Sequence, residues 1–226
     1  MKKWFFLFLA SSTFLSSAIG NWDVFKQYVL RHQKVIPGWC VPEKAEKLMD
    51  LIYETHPQVC VEIGVYGGSS VYPMASALAF LKKGIIHAID PWQEEECLVG
   101  YTPDNPNYDW WKNHSHLEAI YQQFLMTLTK HKLKPYCHVM RMTSEQALSD
   151  FKDESIDILH IDGNHTENVA YSDAEMWLPK VKKGGYIWFD DVNWSTTKKA
   201  VQFMMENCTL DLERSVGNEC YLFQKN

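Results

Sequence analysis

Apolar residues recur along the chain in two alternating periods, one typical of helices and one typical of buried strands. Helical spacing runs from Trp22 to Gln33 and from Pro42 to Thr55, and the second segment has proline at a helix start. Short apolar runs bounded by turn residues predict strands. These runs are 58–63, 85–89, 136–141, 156–161 and 186–189.

Segments with helical spacing separate these runs. They are 69–81, 114–131, 144–151, 166–179 and 196–207. Alternating strands and helices form right-handed crossovers, which produce a parallel sheet with helices on both faces. Two last runs, 209–215 and 219–224, predict a closing antiparallel hairpin. The predicted fold is therefore α/β and Rossmann-like, with a doubly wound, mostly parallel sheet and a C-terminal antiparallel hairpin strand.

A polar and aromatic stretch, residues 92–113, interrupts the alternation. It contains Pro103, Pro106 and the pair Trp110-Trp111. At about twenty residues it is longer than an ordinary connection, and such loops are usually lids, binding loops or disordered segments. We interpret it as a loop that covers a substrate site.

The N-terminal residues 1–20 have the three-part pattern of a secretory signal. Two lysines precede the apolar run 4–10, and the small residues Ala18 and Gly20, two apart, close the segment. We expect a mature chain that begins near Asn21 and folds as one domain over residues 21–226. The alternative is an uncleaved N-terminal anchor, so the expected location is either outside the cytosol or attached to a membrane. No later apolar run is long enough to span a bilayer.

Composition changes this picture by excluding some classes of protein. Of 226 residues, 46% are hydrophobic, which is enough for one sizeable core. The formal charge of −6 argues against a nucleic-acid binder, because phosphate backbones attract clustered Lys and Arg. The six cysteines form no C-x-x-C pair, which argues against the usual zinc sites. Cys60 and Cys137 are expected to be buried thiols, and a Cys208–Cys220 disulfide stays open.

A glycine-rich turn, E-I-G-V-Y-G-G-S-S over residues 62–70, follows the first predicted strand. Glycines let a backbone approach a ligand closely, and the next helix N-terminus favours an anion. Asp90 ends the second strand, 22 residues after Gly68, close to the spacing of the acidic residue that holds a ribose. Together these features predict adenosine binding. Close strand–helix packing at the glycines and a simple turn at Asp90-Pro91 are the alternatives.

Three aspartates follow the fourth and fifth predicted strands: Asp162, Asp190 and Asp191. Neighbouring parallel strands end at one edge of the sheet, so these carboxylates are expected to lie together and to need a cation. Oxygen ligands without cysteine favour magnesium, calcium or manganese. A turn at Asp162-Gly163 and helix capping by the Asp190-Asp191 pair are the alternatives. His165 is a candidate proton acceptor on the same loop as Asp162.

Several motifs, taken in order along the chain, resemble the class I S-adenosylmethionine-dependent methyltransferases. The chain is similar in particular to the metal-dependent O-methyltransferases that include the macrolide-sugar and aminocoumarin-sugar enzymes. The resemblance extends over residues 61–201. The motifs are V-E-I-G-V-Y-G-G-S at 61–69, I-D-P-W at 89–92, T-S-E-Q-A-L at 143–148, I-D-G-N-H at 161–165 and G-G-Y-I-W-F-D-D at 184–191.

The resemblance implies a set of cofactor contacts with S-adenosylmethionine. At the methionine half it implies Glu62, Gly64 and Gly68, with Ser69 also at the cofactor. At the ribose it implies Asp90. Near the adenine it implies Trp92, Thr143 and Ser144.

The resemblance also implies the chemistry. Asp162, Asp190 and Asp191 would ligate Mg²⁺, which would orient two oxygens of the acceptor. His165 would remove the proton of a hydroxyl, and that oxygen would attack the sulfonium methyl in line. The expected acceptor is a small molecule with a sugar- or catechol-like diol, and homo-oligomerisation stays open.

Two other functions remain open from the sequence. A nicotinamide-dependent oxidoreductase shares the βαβ beginning, but the glycine spacing departs from its G-x-G-x-x-G fingerprint. An exported protein that keeps the fold only to bind a ligand is the second alternative, because S-adenosylmethionine is made in the cytosol and a fold does not determine a function.

Overall fold

The computed structural model describes residues 21–226, in which helices cover a seven-stranded sheet. The strands are β1 Val59–Ile63, β2 Ile85–Ile89, β3 Cys137–Met140, β4 Ile156–Ile161, β5 Val181–Phe189, β6 Cys208–Val216 and β7 Cys220–Lys225. Their order in the sheet is β3-β2-β1-β4-β5-β7-β6. β1 to β5 are parallel, and β7 runs antiparallel to both β5 and β6. The predicted fold class is confirmed. The predicted signal or anchor, residues 1–20, lies outside the described residues and stays a prediction.

Helices lie on both faces of the sheet. They are α1 Trp22–Gln33, α2 Pro42–Thr55, α3 Val71–Leu81, α4 Glu94–Cys97, α5 Pro106–Asn113, α6 Leu117–Lys130, α7 Ser144–Ala147, α8 Glu167–Trp177 and α9 Lys198–Asn207. Side chains of α1, α2, α3 and α6 belong to one apolar cluster, and those of α8 and α9 belong to a second. Two consecutive residues of β4 face different clusters, with Ile158 in the first and Leu159 in the second. This alternation follows from the two-residue period of a strand that is buried on both sides.

The long-loop interpretation of residues 92–113 was wrong in its local structure, because α4 and α5 lie within this segment. Asn105 caps α5 by accepting a hydrogen bond from the backbone N–H of Asn107, and Pro106 occupies the first turn. An Asn-Pro pair is a typical helix start, so the capping signal was present in the sequence. β5 is longer than predicted: it begins at Val181 and includes a register shift opposite β4.

All six cysteines are free thiols, and five of them are buried. Cys60 and Cys137 are buried free thiols, and Cys208 and Cys220 are also free and buried. Within residues 21–226, no helix combines the length and the apolar character that crossing a membrane requires.

Candidate active site

A cavity of about 760 Å³ opens at the carboxyl ends of the parallel strands. Its volume lies in the range of small-molecule sites, roughly 300–1,000 Å³. The loops after β1, β2, β4 and β5 contribute Gly64, Asp90, Asp162 and Asp190 to its wall. Ligands of doubly wound sheets bind at this edge, so the topology brings the predicted residues together.

Asp90 holds the glycine-rich loop in place. One carboxylate oxygen accepts hydrogen bonds from the backbone N–H groups of Val65 and Tyr66, both at 2.9 Å, and the other accepts one from Trp92 at 2.7 Å. Burial raises the pKa of Asp90, and these three donors oppose that shift. A carboxylate offers about four acceptor sites, so Asp90 keeps capacity for a further donor at the cavity wall.

Gly64 and Gly68 are required by close packing within the protein. Gly64 has φ +84°, and a Cβ there would lie 2.0 Å from the backbone oxygen of Asp162. Gly68 has φ +82°, and a Cβ there would lie 2.4 Å from the ring of Phe124. The packing alternative therefore applies to both glycines. Gly64 also lines the cavity, whereas Gly68 lies against Phe124.

Two residues that the resemblance placed at the cofactor lie behind the cavity wall. Glu62 is fully buried, accepts a hydrogen bond from Ser70, and has its other oxygen 3.2 Å from Nδ1 of His160 without hydrogen-bond alignment. Trp92 is 2% exposed, stacks on Phe124, and donates its indole N–H to a backbone oxygen of the glycine-rich loop. As placed, Glu62 and Trp92 contact the glycine-rich loop from the protein core and do not line the cavity.

Ser69, Thr143 and Ser144 do line the cavity. Thr143 caps α7 through a reciprocal hydrogen bond with Gln146, which orients the turn. Ser144 donates a hydrogen bond to Asp173 of α8, a cavity residue that sequence reasoning missed. Burial raises the pKa of Asp173 to about 6. Its position among the buried residues of an otherwise apolar helix face was the available signal.

The three predicted metal ligands lie at the cavity but do not surround one point. Possible ligand atoms lie within 4.8 Å of one another in two trios, one of His160, Asp162 and Asp190 and one of Asp162, His165 and Asp191. Asp191 has φ +51°, and this turn of the backbone directs two adjacent side chains to different partners. Neither Asp190 nor Asp191 caps α9, because the N-cap residue of that helix is Thr197.

The ammonium of Lys44 lies between Asp162 and Asp190. Lys44 is 3% exposed on α2, and its Nζ lies 3.0 Å from Asp162 and donates a hydrogen bond to Asp190. Burial lowers the pKa of Lys44, but the two carboxylates raise it well above its usual value, so the side chain stays charged. Sequence reasoning missed this residue because it lies 118 positions before Asp162.

The two carboxylates beside Lys44 differ in their protonation. Burial and the neighbouring Asp190 raise the pKa of Asp162 to about 7. Burial would also raise the pKa of Asp190, but the ammonium of Lys44 holds it below its usual range. Two adjacent carboxyl groups titrate as a pair, and the one closer to the cation stays ionised.

Asp191 pairs with His165. The carboxylate contacts Nε2, and the indole of Trp194 lies 4.8 Å from the imidazole between ring centroids. Burial lowers the pKa of His165, but Asp191 raises it by a larger amount, so the pKa lies above its ordinary value. Because Nε2 is engaged, Nδ1 is the nitrogen left to accept a proton. A histidine held by a carboxylate is a typical general base.

As placed, Asp162, Asp190 and Asp191 do not form one set of three ligands, because each trio of possible ligand atoms includes a histidine. Mg²⁺ needs near-octahedral oxygen ligands at about 2.0–2.1 Å. Lys44 occupies the space between Asp162 and Asp190, and Asp191 is turned toward His165.

An aromatic wall forms another side of the cavity and consists of Trp39, Tyr66, Trp110 and Trp111. Trp39 lies between α1 and α2 and is 66% exposed. Its ring centroid is 4.9 Å from that of Tyr66 and 5.1 Å from that of Trp110. The Trp110-Trp111 pair was predicted to cover a site, whereas Trp39 was missed because nothing local marks it.

Comparison with known proteins identifies the family. A family profile described as a methyltransferase domain matches residues 61–192. The uncharacterized protein y4gI of Sinorhizobium fredii is 28% identical over 144 residues, which are 63% of this chain. The chain spans only 14% of the length of that relative.

Solved structures share the fold at low identity. The O-methyltransferase NovP has a TM-score of 0.65 and 13% identity, with 90% of this chain and 97% of NovP covered. The Podospora anserina methyltransferase PaMTH1, bound to SAH, has a TM-score of 0.62 and 12% identity, with 100% and 99% covered. The Bacillus cereus O-methyltransferase in complex with SAH has a TM-score of 0.59 and 15% identity, with 96% and 97% covered. With the profile covering more than half of its length, this chain belongs to the class I S-adenosylmethionine-dependent methyltransferase family.

Proposed function

We propose that this methyltransferase transfers the methyl group of S-adenosylmethionine to a hydroxyl oxygen of a small molecule, with His165 as the general base. The observation that carries the proposal is the His165–Asp191 pair at the wall of a cavity that also contains Asp90 and Gly64. One cavity thus offers a base for the acceptor and a turn suited to a nucleoside.

The cofactor is proposed to lie along the glycine-rich loop. Asp90 would accept a hydrogen bond from a ribose hydroxyl, and Thr143, Ser144 and Asp173 offer polar groups beyond it.

The proposed reaction needs one proton transfer and one displacement. Nδ1 of His165 accepts the hydroxyl proton, while Asp191 orients the ring and stabilises its charged form. The acceptor oxygen forms a bond to the methyl carbon, and the bond between carbon and sulfur breaks, which leaves a neutral thioether. Positioning supplies much of the rate, because the methyl group is already activated on the cofactor. The Mg²⁺ site expected from the sequence stays a prediction. A Mg²⁺ ion would compete with Lys44 for the oxygens of Asp162 and Asp190.

The proposed acceptor is a sugar- or catechol-like diol. The four side chains of the aromatic wall line the same cavity as several polar groups, and such rings bind flat apolar faces while polar groups bind hydroxyls. The base and the aromatic wall would therefore contact different parts of one acceptor.

The proposal is tested with purified protein in two stages. Calorimetry measures the binding of S-adenosylmethionine, with NAD as the competing cofactor. Transfer of a labelled methyl group is then measured on a panel of catechols and glycosides. Binding without transfer to any acceptor would favour the alternative of a non-catalytic binding protein, and binding of NAD alone would favour the oxidoreductase.

Replacing Trp39 tests the aromatic wall. Trp39→Ala is expected to raise the KM of the acceptor by about tenfold, the equivalent of about 1.4 kcal/mol of lost ring contact. The affinity for S-adenosylmethionine should stay unchanged. Tyr28→Ala is the matched control, because it removes an exposed aromatic ring that does not line the cavity. A variant with weakened cofactor binding and an unchanged acceptor KM would instead place Trp39 over the cofactor.

A further inference from the structure

We propose that the ammonium of Lys44 is the resident cation of the aspartate cluster, so that this methyltransferase works without a divalent metal ion. The inference rests on the proposed function and adds to it the source of positive charge beside the acceptor. It starts from a feature of this chain that no aspartate motif predicts: a lysine buried between two strand ends.

The position of Lys44 is unfavourable without its partners. Lysine is almost never fully buried unless it is paired, and Lys44 is 3% exposed. It also lies in the first turn of α2, which begins at Pro42, where the helix dipole disfavours a cation. Asp162 and Asp190 offset both costs because they contact the ammonium directly. A lysine at this buried position is therefore stable because Asp162 and Asp190 bind its ammonium.

A divalent ion would have to displace this ammonium. Among the described residues, Asp162 and Asp190 are the hydrogen-bond partners of the Lys44 ammonium, and the same oxygens would be needed as metal ligands. The third candidate ligand, Asp191, belongs to the other trio and contacts His165. The cluster thus already holds one cation and has its remaining carboxylate in use.

Lys44 also has the chemistry to take part in acceptor binding. An ammonium has three N–H donors, and two of them are accounted for by Asp162 and Asp190. Lys44 lines the same cavity as His165, so its third donor can bind an acceptor oxygen. A fixed cation at that position stabilises the negative charge that develops when His165 removes the proton.

Mn²⁺ alone, titrated into the full chain and followed by electron paramagnetic resonance, tests the inference. The wild type is expected to have no site tighter than about 1 mM, the affinity of weak carboxylate sites. Lys44→Ser should create a site at least about tenfold tighter, because it frees the oxygens of Asp162 and Asp190. Lys26→Ser is the matched control, since Lys26 is also buried between two carboxylates, Glu46 and Asp50, outside the cavity wall. It should leave Mn²⁺ binding as in the wild type.

Three results would overturn the inference. One is a tight Mn²⁺ site in the wild type that Asp190→Asn abolishes, and this measurement does not depend on the folding of any lysine variant. Another is a folded Lys44→Ser protein that gains no site. The last is methyl transfer that EDTA stops and Mg²⁺ restores, whereas unchanged transfer in EDTA supports the inference. If no acceptor is methylated under any condition, the proposed function fails, but the titration still decides the role of Lys44.

Discussion

His165→Gln is expected to lower kcat for methyl transfer by about 10²- to 10⁴-fold, the usual contribution of a positioned general base. The glutamine side chain fills similar space but has no basic nitrogen that could accept the proton. Binding of S-adenosylmethionine should change little, because Asp90 and the glycine-rich loop lie on other strands. Single-turnover transfer of a labelled methyl group measures the rate, and calorimetry measures the cofactor affinity.

A matched control is available in the same chain. His114 pairs with Asp109 at 3.4 Å, but both side chains are exposed and neither lines the cavity. His114→Gln should therefore leave methyl transfer unchanged. If His165→Gln also kept most of the wild-type rate, a different residue would have to be the base.

The pH dependence gives a second readout of the same pair. Only neutral His165 accepts a proton, so kcat/KM should rise with pH through the pKa of His165. Burial lowers this pKa, but the opposing effect of Asp191 is larger. The rise in kcat/KM should therefore be centred above pH 6.5, the ordinary pKa of histidine. Asp191→Asn removes the raising contact and leaves the burial, so the rise should move to lower pH while the maximal rate falls. A rise that stayed at the same pH in Asp191→Asn would assign the titration to another group.

Gly64→Ala is expected to lower the free energy of unfolding by about 3 kcal/mol or more, from strained left-handed backbone together with overpacking. The new Cβ would lie 2.0 Å from the backbone oxygen of Asp162, and neither strand end can move without breaking the β1–β4 pairing. We expect loss of cofactor binding as well, because the glycine-rich loop that follows β1 lines the cavity. Urea denaturation and calorimetry measure the two effects.

Gly217→Ala separates backbone strain from steric overlap. Gly217 also has a positive φ, +52°, but a Cβ there meets nothing within 4 Å. This variant should cost only about 1–2 kcal/mol, the cost of left-handed backbone for an ordinary residue. Equal destabilisation by the two alanines would mean that the approach of the β1 loop to Asp162 does not matter.

The local patterns predicted most of the fold. Strand and helix periods depend on residues a few positions apart, so β1, β2 and β4 and the long helices were identified with small errors at their ends. The failures have local causes of a different kind. α4 and α5 are too short for a periodic pattern, and only the Asn105-Pro106 cap marks the second. The first half of β5 contains Lys182, Lys183 and two glycines, which hide an extended segment.

The sequence by itself determined which residues lie at the binding edge of the sheet. Parallel strands all end on the same side, so residues that follow β1, β2, β4 and β5 must share one rim whatever the side chains do. Gly64, Asp90, Asp162, His165 and Asp190 line the cavity for this reason.

Only the tertiary structure decided what these side chains contact. Lys44 reaches the aspartates from a helix distant in sequence, and Asp191 turns to His165 because of its own backbone angle. Glu62 lies on β1 and Trp92 follows β2. Both side chains are buried in the protein core, so neither lines the cavity. Spacing along the chain specifies a rim, but charge pairing depends on distances between atoms that only folding brings together.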